Sequence, residues 1–384
     1  MSLFGVFYFF IKESIMKTVA VFFGGRSSER EISVITGVYA VNLLRGADLR
    51  VLPVFLSAEN EMFLCEDAYE IEDFRIEDEI LDKRKFLPVR LARGGLCFEK
   101  KPKKRIPLDC ALNCCHGGLG EGGALSALLE WHEIVSASPR MPESALFLDK
   151  ALTKIALKGL DVPVVPFIVL REKDQGGADE MIQNAFGYPV IVKPSKLGSS
   201  VGISVAKNAG ELKCALELSF KLDSVALIEK YISGKRDLNC AAYRDGNKTV
   251  LSSIEEVFSG EPILSFGEKY EGTGARTSQN PAEIPEETAQ KIKEILRSVY
   301  EAFDMQGIVR ADFLLCEEEI YFNELNTVPG TLATYLFGES LLAAKKLLLS
   351  LIEDAVRRGI PQKETVKSGI LMRHSYGAKS SKRR

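Results

Sequence analysis

The sequence lacks a strong net charge, a paired cysteine pattern and an apolar run long enough to cross a membrane. The formal net charge is −3 over 384 residues and no half of the chain is strongly basic, so nucleic acid is not an expected partner. The apolar stretch at residues 3–11 is too short to span a bilayer, and it has neither the basic start nor the cleavage site of a signal peptide. We therefore expect a cytoplasmic protein that binds neither membranes nor nucleic acid.

The start of the chain allows two interpretations. A second methionine, Met16, directly precedes a convincing buried strand, so translation from that residue would make residues 1–15 a non-native or disordered extension. The alternative is that this apolar stretch is a membrane-associating tail. At the other end, residues 362–384 contain lysine, serine and glycine and finish on two arginines, which predicts a flexible basic tail.

The eight cysteines do not have the spacing of a secreted disulfide scaffold, and a cytosolic chain of this size can carry them as free thiols. The run Cys114-Cys115-His116 contains zinc-ligand types, but no second ligand pair follows at a suitable spacing, so we expect no zinc site there. The length, with 46% hydrophobic and 27% charged residues, favours a soluble globular protein of two or three domains.

The first part of the chain alternates predicted strands and helices, which is typical of α/β architecture with a parallel sheet. Ser28, with Glu31 three residues later, fits a capping box at the start of the first helix. Breaks in the pattern divide the rest of the chain, and the expected domains are residues 16–138, 139–232 and 233–361. The expected strands of the first domain are residues 18–23, 51–56 and 108–114.

The most informative segment reads as a β-hairpin, because two apolar alternating runs flank a short acidic turn. On the first run Arg310 and Asp312 point to one face. On the second run Phe322, Glu324 and Asn326 share a face, since side chains alternate along a strand. A buried core would not accommodate so many polar groups on one patch of sheet.

A turn centred on Glu318 would place Asp312 opposite Glu324 and Arg310 opposite Asn326. Two acids, an amide and a guanidinium would then converge. Hard oxygen ligands beside a fixed cation suit Mg2+ that carries phosphate groups. The sequence therefore predicts a magnesium and phosphate site on this hairpin.

A loop rich in glycine and serine, residues 194–202, follows Lys193 at the end of an apolar strand. It is not a Walker loop, because a second strand rather than a helix follows it. Backbone N–H groups of such a loop can still bind phosphates, and Lys193 can reach them as a point charge. The alternative is an ordinary surface turn. Glu229 and Lys230 end the next strand, where the acid suits an adenine amino group or a ribose hydroxyl, or the two form a surface ion pair.

Two further turns follow predicted strands of the first domain, and both suit a small charged substrate. Gly24-Gly25 precedes a helix whose first turn contains Glu29, which can meet an ammonium group or simply compensate the helix dipole. His116 begins a glycine-rich turn and is either a substrate contact or an ordinary loop histidine. A long polar loop, residues 268–282, contains Tyr270 and is typical of a lid.

Seven motifs in this order resemble the D-alanine–D-alanine ligase family of the ATP-grasp superfamily, over residues 16–360. They are Gly-Gly-x-Ser-x-Glu-Arg-Glu, His-Gly-x-x-Gly-Glu, Val-Lys-Pro-Ser-x-x-Gly-Ser-Ser-Val-Gly, Glu-Lys, Lys-Tyr, Arg-x-Asp and Asn-Glu-x-Asn-Thr-x-Pro-Gly. The resemblance implies a three-domain α/β (α+β) ATP-grasp fold. Its parts would be an N-terminal Rossmann-like substrate domain with a parallel sheet, a central ATP-grasp domain and a C-terminal ATP-grasp domain with the magnesium site.

The resemblance also implies the reaction. ATP would phosphorylate the carboxylate of one D-alanine, the amino group of a second would attack the acyl phosphate, and the dipeptide would serve peptidoglycan synthesis. Two Mg2+ ions, or Mn2+ in their place, would assist. Relatives commonly dimerise through the first domain, so a homodimer is expected.

The resemblance assigns roles to individual residues. The implied catalytic group is Glu29, Ser199, Tyr270, Arg310 and Gly330, with Glu29 on the donor ammonium and Arg310 with the Gly330 backbone on the oxyanion. The implied ATP contacts are Lys150, Lys193, Ser200, Glu229, Lys230, Asp237 and Lys269. The implied metal ligands are Asp312, Glu324 and Asn326, and the implied substrate contacts are His116 and Tyr335.

The chain departs from the family pattern at three places. Residues 233–237 contain one residue more than the usual motif, which affects Asp237, and Gly122 replaces the usual aspartate. Tyr335 stands where many relatives have a serine that touches the carboxylate of the second substrate. D-Serine or D-lactate is therefore an alternative acceptor, although Tyr270 favours an amine. An ATP-binding regulatory protein without catalysis is the alternative from another class.

Overall fold

The computed structural model describes residues 16–75, 81–258, 277–360 and 368. Within these residues the strands form three sheets, and each sheet lies inside one of the three expected domains. No helix of the described residues is long and apolar enough to cross a membrane.

The N-terminal sheet has seven strands in the order β6-β5-β4-β3-β2-β1-β7. β1 pairs in parallel with β2 and β7, and β3 to β6 extend the sheet antiparallel, an extension that the sequence did not predict. The strands are β1 (Lys17–Gly24), β2 (Leu49–Leu56), β3 (Met62–Leu64), β4 (Leu87–Ala92), β5 (Gly95–Phe98), β6 (Lys101–Pro107) and β7 (Cys110–Asn113). The helices of this part are α1 (Arg30–Leu44), α2 (Gly118–Glu121) and α3 (Ala124–Trp131), with a 3-10 helix at Ile71–Phe74. The helices α4 (Met141–Leu148) and α5 (Lys150–Lys158) follow within the second expected domain.

The central sheet is antiparallel in the order β10-β9-β11-β8. Its apolar face packs on two helices, because Ile182 and Leu216 belong to one core with Val192 and Ile228. The elements are β8 (Phe167–Arg171), a 3-10 helix (Glu172–Asp174), α6 (Ala178–Ala185), β9 (Val190–Pro194), β10 (Ser204–Ala206), α7 (Ala209–Leu222) and β11 (Val225–Lys230).

The C-terminal sheet is antiparallel in the order β14-β13-β12-β15-β16. Its last helix packs against the N-terminal domain, where Leu348 and Leu351 join Val34 and Val38 of α1 in one core. The elements are β12 (Arg236–Asp245), β13 (Lys248–Phe258), β14 (Thr277–Gln279), α8 (Glu286–Ala302), β15 (Ile308–Cys316), β16 (Glu319–Asn326), a 3-10 segment (Gly330–Leu336) and α9 (Leu341–Arg358).

The predicted hairpin and both of its polar pairs are confirmed, since Arg310 lies opposite Asn326 and Asp312 opposite Glu324. The expectation that Phe322 shares a face with Glu324 is wrong. A β-bulge displaces Asn323, so Phe322 turns into the core and stacks edge-on against Phe313, with ring centroids 5.0 Å apart. The bulge lets one strand bury Phe322 and still present Glu324 to the cavity described below.

The first helix also begins differently from the sequence prediction. Its N-cap is Glu29 rather than Ser28, and no side chain caps it. Ser27 occupies the preceding turn, where its hydroxyl accepts from the Glu29 N–H at 3.2 Å and donates to the His116 carbonyl at 2.6 Å. The Glu29 carboxylate is thereby left for a contact across the cavity.

Candidate active site

One cavity of about 650 Å³ collects most of the site residues that the sequence predicted. Residues from all three expected domains line it: α1 and the turn after β7 from the first, and strands and loops of the other two sheets. The predicted residues along its wall are Glu29, His116, Lys150, Lys193, Ser199, Ser200, Asp237, Arg310, Asp312, Glu324, Asn326, Gly330 and Tyr335. Lys230 is exposed, and Tyr270 and Lys269 lie outside the described residues.

The hairpin forms the charged wall of the cavity. The Arg310 guanidinium donates to both oxygens of Asp312, at 2.8 and 3.0 Å, and the Asn326 amide donates to Asp312 at 3.3 Å. Burial lowers the pKa of Arg310, but the adjacent Asp312 more than offsets this and raises it. Lys150 lies 3.4 Å from Glu324. Arg310 and Lys150 therefore hold both carboxylates in place along the cavity wall.

The donor set of this wall fits magnesium. Asp312, Glu324 and Asn326 offer carboxylate and amide oxygens from neighbouring strands, which is the ligand chemistry that Mg2+ prefers. The described residues contain no cluster of three His, Cys, Asp or Glu side chains arranged to hold a metal. A set of two acids and an amide suits an ion that takes its remaining ligands from phosphate and water.

A buried charge triad joins the strand before the loop of residues 194–202 to α5 and β11. Glu229 forms ion pairs with Lys193 at 2.5 Å and with Lys154 at 2.8 Å, and all three side chains are buried. Burial raises the pKa of Glu229, but the two lysines outweigh it and hold that pKa at about 2. Lys154 also donates to the Phe322 carbonyl at 3.1 Å, so it connects β11 with β16. The sequence prediction missed Lys154.

Two glycine turns close around Glu29. The Ser199 hydroxyl donates to the Glu29 carboxylate, which joins the loop after β9 to the start of α1. A Cβ atom at Gly198 or at Gly117 would come within 2.6 or 2.7 Å of Glu29 Oε2, so a side chain at either position would displace the carboxylate; Gly117 also has a φ of 65°, which favours glycine. Ser199 itself has a φ of 50°, an uncommon conformation for a residue with a side chain.

His116 is buried as a neutral side chain. Its Nε2 lies 2.9 Å from the Thr36 hydroxyl. Burial, and then the nearby Arg310, lower the pKa of His116 to about 3, so the imidazole is uncharged near neutral pH. The neighbouring Glu121 has the opposite shift, because burial and then Glu29 raise its pKa to about 7.

Tyr335 belongs to a small network that continues the hairpin wall along the same sheet, since Asn239 pairs with Asp312 and Glu255 pairs with Asn239. Its hydroxyl donates to Glu255 Oε2 at 3.0 Å, and the Asn239 amide donates to the same oxygen at 3.2 Å. Glu255 and Asn239 are buried and line the cavity. The sequence prediction missed both residues. A usable signal was available, because both are polar residues inside strands, at positions whose side chains would be apolar if they faced a core.

The comparisons with known proteins agree on one family. The family model described as the D-ala D-ala ligase N-terminus matches residues 18–137, and that described as the C-terminus matches residues 156–354. A D-alanine–D-alanine ligase of Nitratiruptor is 34% identical over 83% of this chain and 90% of the relative. One of Campylobacter lari is 30% identical over 94% of this chain and 99% of the relative. The crystal structure of the Helicobacter pylori D-alanine–D-alanine ligase, 30% identical, has a TM-score of 0.73 over 88% of this chain and 99% of that chain.

Proposed function

The chain belongs to the D-alanine–D-alanine ligase family, and from that premise we propose that its cavity joins two D-alanines in an ATP-dependent reaction. It is an ADP-forming ligase of the ATP-grasp fold that makes a C–N bond, and its product serves peptidoglycan precursor synthesis. The observation that carries the proposal is the wall of Arg310, Asp312, Glu324 and Asn326 facing the Lys193 loop in one cavity.

The first step forms the acyl phosphate. An oxygen of the donor carboxylate attacks the γ-phosphorus of ATP, a P–O bond forms and ADP leaves. Lys150 and Lys193 are proposed to hold the phosphates, and Glu229 keeps Lys193 directed into the cavity through their ion pair. When bound, Mg2+ on Asp312, Glu324 and Asn326 neutralises the charge that builds up on the phosphate oxygens. The proposal includes two such ions.

The second step forms the dipeptide. The acceptor amine attacks the carbonyl carbon, a C–N bond forms, and phosphate leaves with the donor oxygen. Arg310 and the Gly330 N–H are proposed to stabilise the tetrahedral oxyanion, since both line the cavity beside the metal ligands. Glu29 is proposed to bind the donor ammonium, and its bond to Ser199 would keep the phosphate loop closed over the substrates.

The remaining site proposals concern the nucleotide and the acceptor. Asp237 lines the cavity at the start of β12, which supports a ribose contact, and its partner there is Lys235. Ser200, Glu229 and Lys230 are proposed for the phosphates and the base, with Lys269 and Tyr270 outside the described residues. Tyr335 is proposed to face the acceptor carboxylate, with Glu255 fixing its hydroxyl.

The test of the proposed function is an acceptor competition. The protein receives Mg-ATP with D-alanine, D-serine and D-lactate together, and the products are identified by mass while released phosphate is measured. We expect D-alanyl-D-alanine as the main product, with one phosphate released per dipeptide. A main product containing D-serine or D-lactate would identify that compound as the acceptor. ATP binding without any product would favour the regulatory alternative.

A substitution at Glu29 tests the donor site. Glu29→Gln should lower kcat/KM for D-alanine about tenfold to a hundredfold, because a charged hydrogen bond to a buried ammonium contributes about 1.5–3 kcal/mol. Steady-state kinetics at saturating ATP measure the effect. Glu31→Gln, on the exposed side of the same helix turn, is the matched control and should stay within about twofold of the parent. Equal effects of the two changes would remove Glu29 from the donor site.

We further propose a homodimer formed through the N-terminal domain. The chain's single tryptophan, Trp131, is 83% exposed on α3, one helix turn from the half-exposed Leu128, and Leu119 on α2 is also exposed. Exposed apolar side chains at helical spacing support an interface. The proposed location is the cytoplasm, where ATP is available.

Trp131 allows the dimer to be tested directly. Trp131→Glu should shift the mass in solution from dimer to monomer, because a charge buried at an interface without a partner is unfavourable. Size-exclusion chromatography with light scattering measures the mass. Leu341→Glu, at a 69% exposed apolar position at the start of α9, is the control and should leave the dimer intact. A parent protein that is monomeric at all concentrations would contradict the proposal.

A further inference from the structure

The turn after β16 is held at both ends by side chains of the N-terminal domain. The Thr331 N–H donates to the Thr36 hydroxyl at 3.1 Å. The main chain of Val328 lies close enough to the Glu121 carboxylate to lower its pKa. Pro329 and Gly330 lie between these two anchors, and Gly330 lines the cavity.

The same two side chains also hold the glycine turn after β7. The Gly117 N–H donates to Glu121 Oε2 at 2.7 Å, and the Thr36 hydroxyl lies 2.9 Å from His116 Nε2. Because His116 is neutral, Thr36 can accept from Thr331 and donate to the imidazole at the same time. Each side chain thus joins the turn after β7 to the turn after β16.

Both linking side chains are buried in the wall of the cavity. Thr36 has no exposed surface and Glu121 is 8% exposed. Water does not compete with hydrogen bonds in such a place, so they fix their partners more firmly than surface bonds would. A backbone donor that stabilises an oxyanion must be held near its productive position, since its contribution falls steeply with distance.

We propose that Thr36 and Glu121 are positioning residues that clamp the Gly330 backbone against the donor pocket. They act through the main chain of residues 328–331 rather than on substrate. The clamp rests on the proposed function, because it matters only if the Gly330 N–H faces a reacting carbonyl. It would give the N-terminal domain control over the step in which the oxyanion forms.

The first test uses two hydroxyls on the same helix. Thr36→Val removes the two hydrogen bonds of the Thr36 hydroxyl, to Thr331 and to His116, and should lower kcat about tenfold, with KM for ATP within about twofold of the parent. Ser33→Ala is the matched control. Ser33 is equally buried, and its hydroxyl accepts from the Gly24 N–H at 2.7 Å and donates to the Cys114 carbonyl at 2.8 Å, but it does not line the cavity. Ser33→Ala should lower Tm without lowering kcat per folded molecule. Thr36→Ser keeps the hydroxyl and should therefore keep kcat near that of the parent.

The second test uses the carboxylate. Glu121→Ala removes both acceptors and should lower kcat more than Glu121→Gln, which keeps one carbonyl oxygen. If Thr36→Val does not fold, this graded pair decides the question. Thr36 and Glu121 variants that lower Tm as Ser33→Ala does, and keep the parent kcat, would overturn the clamp. A parent protein that makes no dipeptide would overturn the proposed function instead, so the two failures are distinguishable.

Discussion

Asp312→Asn is expected to lower kcat about a hundredfold or more, because it removes a negative ligand from the proposed metal site. Asp312 is also the residue to which Arg310 and Asn326 both donate, so the change disturbs the whole charged wall. Phosphate release at saturating ATP and D-alanine measures kcat. A titration with magnesium should also show that the variant needs a higher concentration for its residual activity.

The control for this prediction is an aspartate in another ion pair of the same domain. Asp304 bonds to Arg244 at 2.9 Å, which is close to the Arg310–Asp312 distance, but it does not line the cavity. Asp304→Asn should leave kcat within about twofold of the parent. If the two variants were equally active, Asp312 would not be a metal ligand.

Arg310→Lys is expected to lower kcat about a hundredfold to a thousandfold, the range seen when an oxyanion donor is removed. Lysine keeps the charge but loses the planar fork that bonds both oxygens of Asp312. The lysine ammonium would then lie closer to Asp312 than to the reacting carbonyl. KM for ATP should change little, because the nucleotide is bound mainly by the central domain in our proposal.

Arg244→Lys provides the matched control, since Arg244 pairs with an aspartate outside the cavity. It should leave both kcat and KM unchanged. A loss in Arg310→Lys that appears only as a higher KM for ATP would assign Arg310 to nucleotide binding and remove it from the oxyanion step.

That Arg310 shares a face with Asp312, and Glu324 with Asn326, could be predicted from the sequence by side-chain alternation, and the pairing followed from a turn placed at Glu318. The bulge at Asn323 could not. Its position depends on how Phe322 packs against Phe313, which is a property of the folded core. Without the bulge, Phe322 would face the cavity, and the polar pairs would lie in a different register.

The buried partners were beyond the sequence for a related reason. Lys154 and Glu229 are far apart along the chain, and only the packing of α5 against β11 brings them together. Thr36 is a small residue on the inner face of α1, where core packing was the natural interpretation. The motifs therefore contained Glu121 and Glu229 without showing what these side chains support, and they missed Lys154 and Thr36.

The most direct measurement of the central claim follows the donor oxygen. D-Alanine labelled with oxygen-18 in its carboxylate is given to the protein with unlabelled ATP, and the mass of the released phosphate is measured by mass spectrometry. An acyl phosphate requires that each phosphate leave with one labelled oxygen, while the new peptide carbonyl keeps the other. Dipeptide formed with unlabelled phosphate would contradict the mechanism proposed for this site.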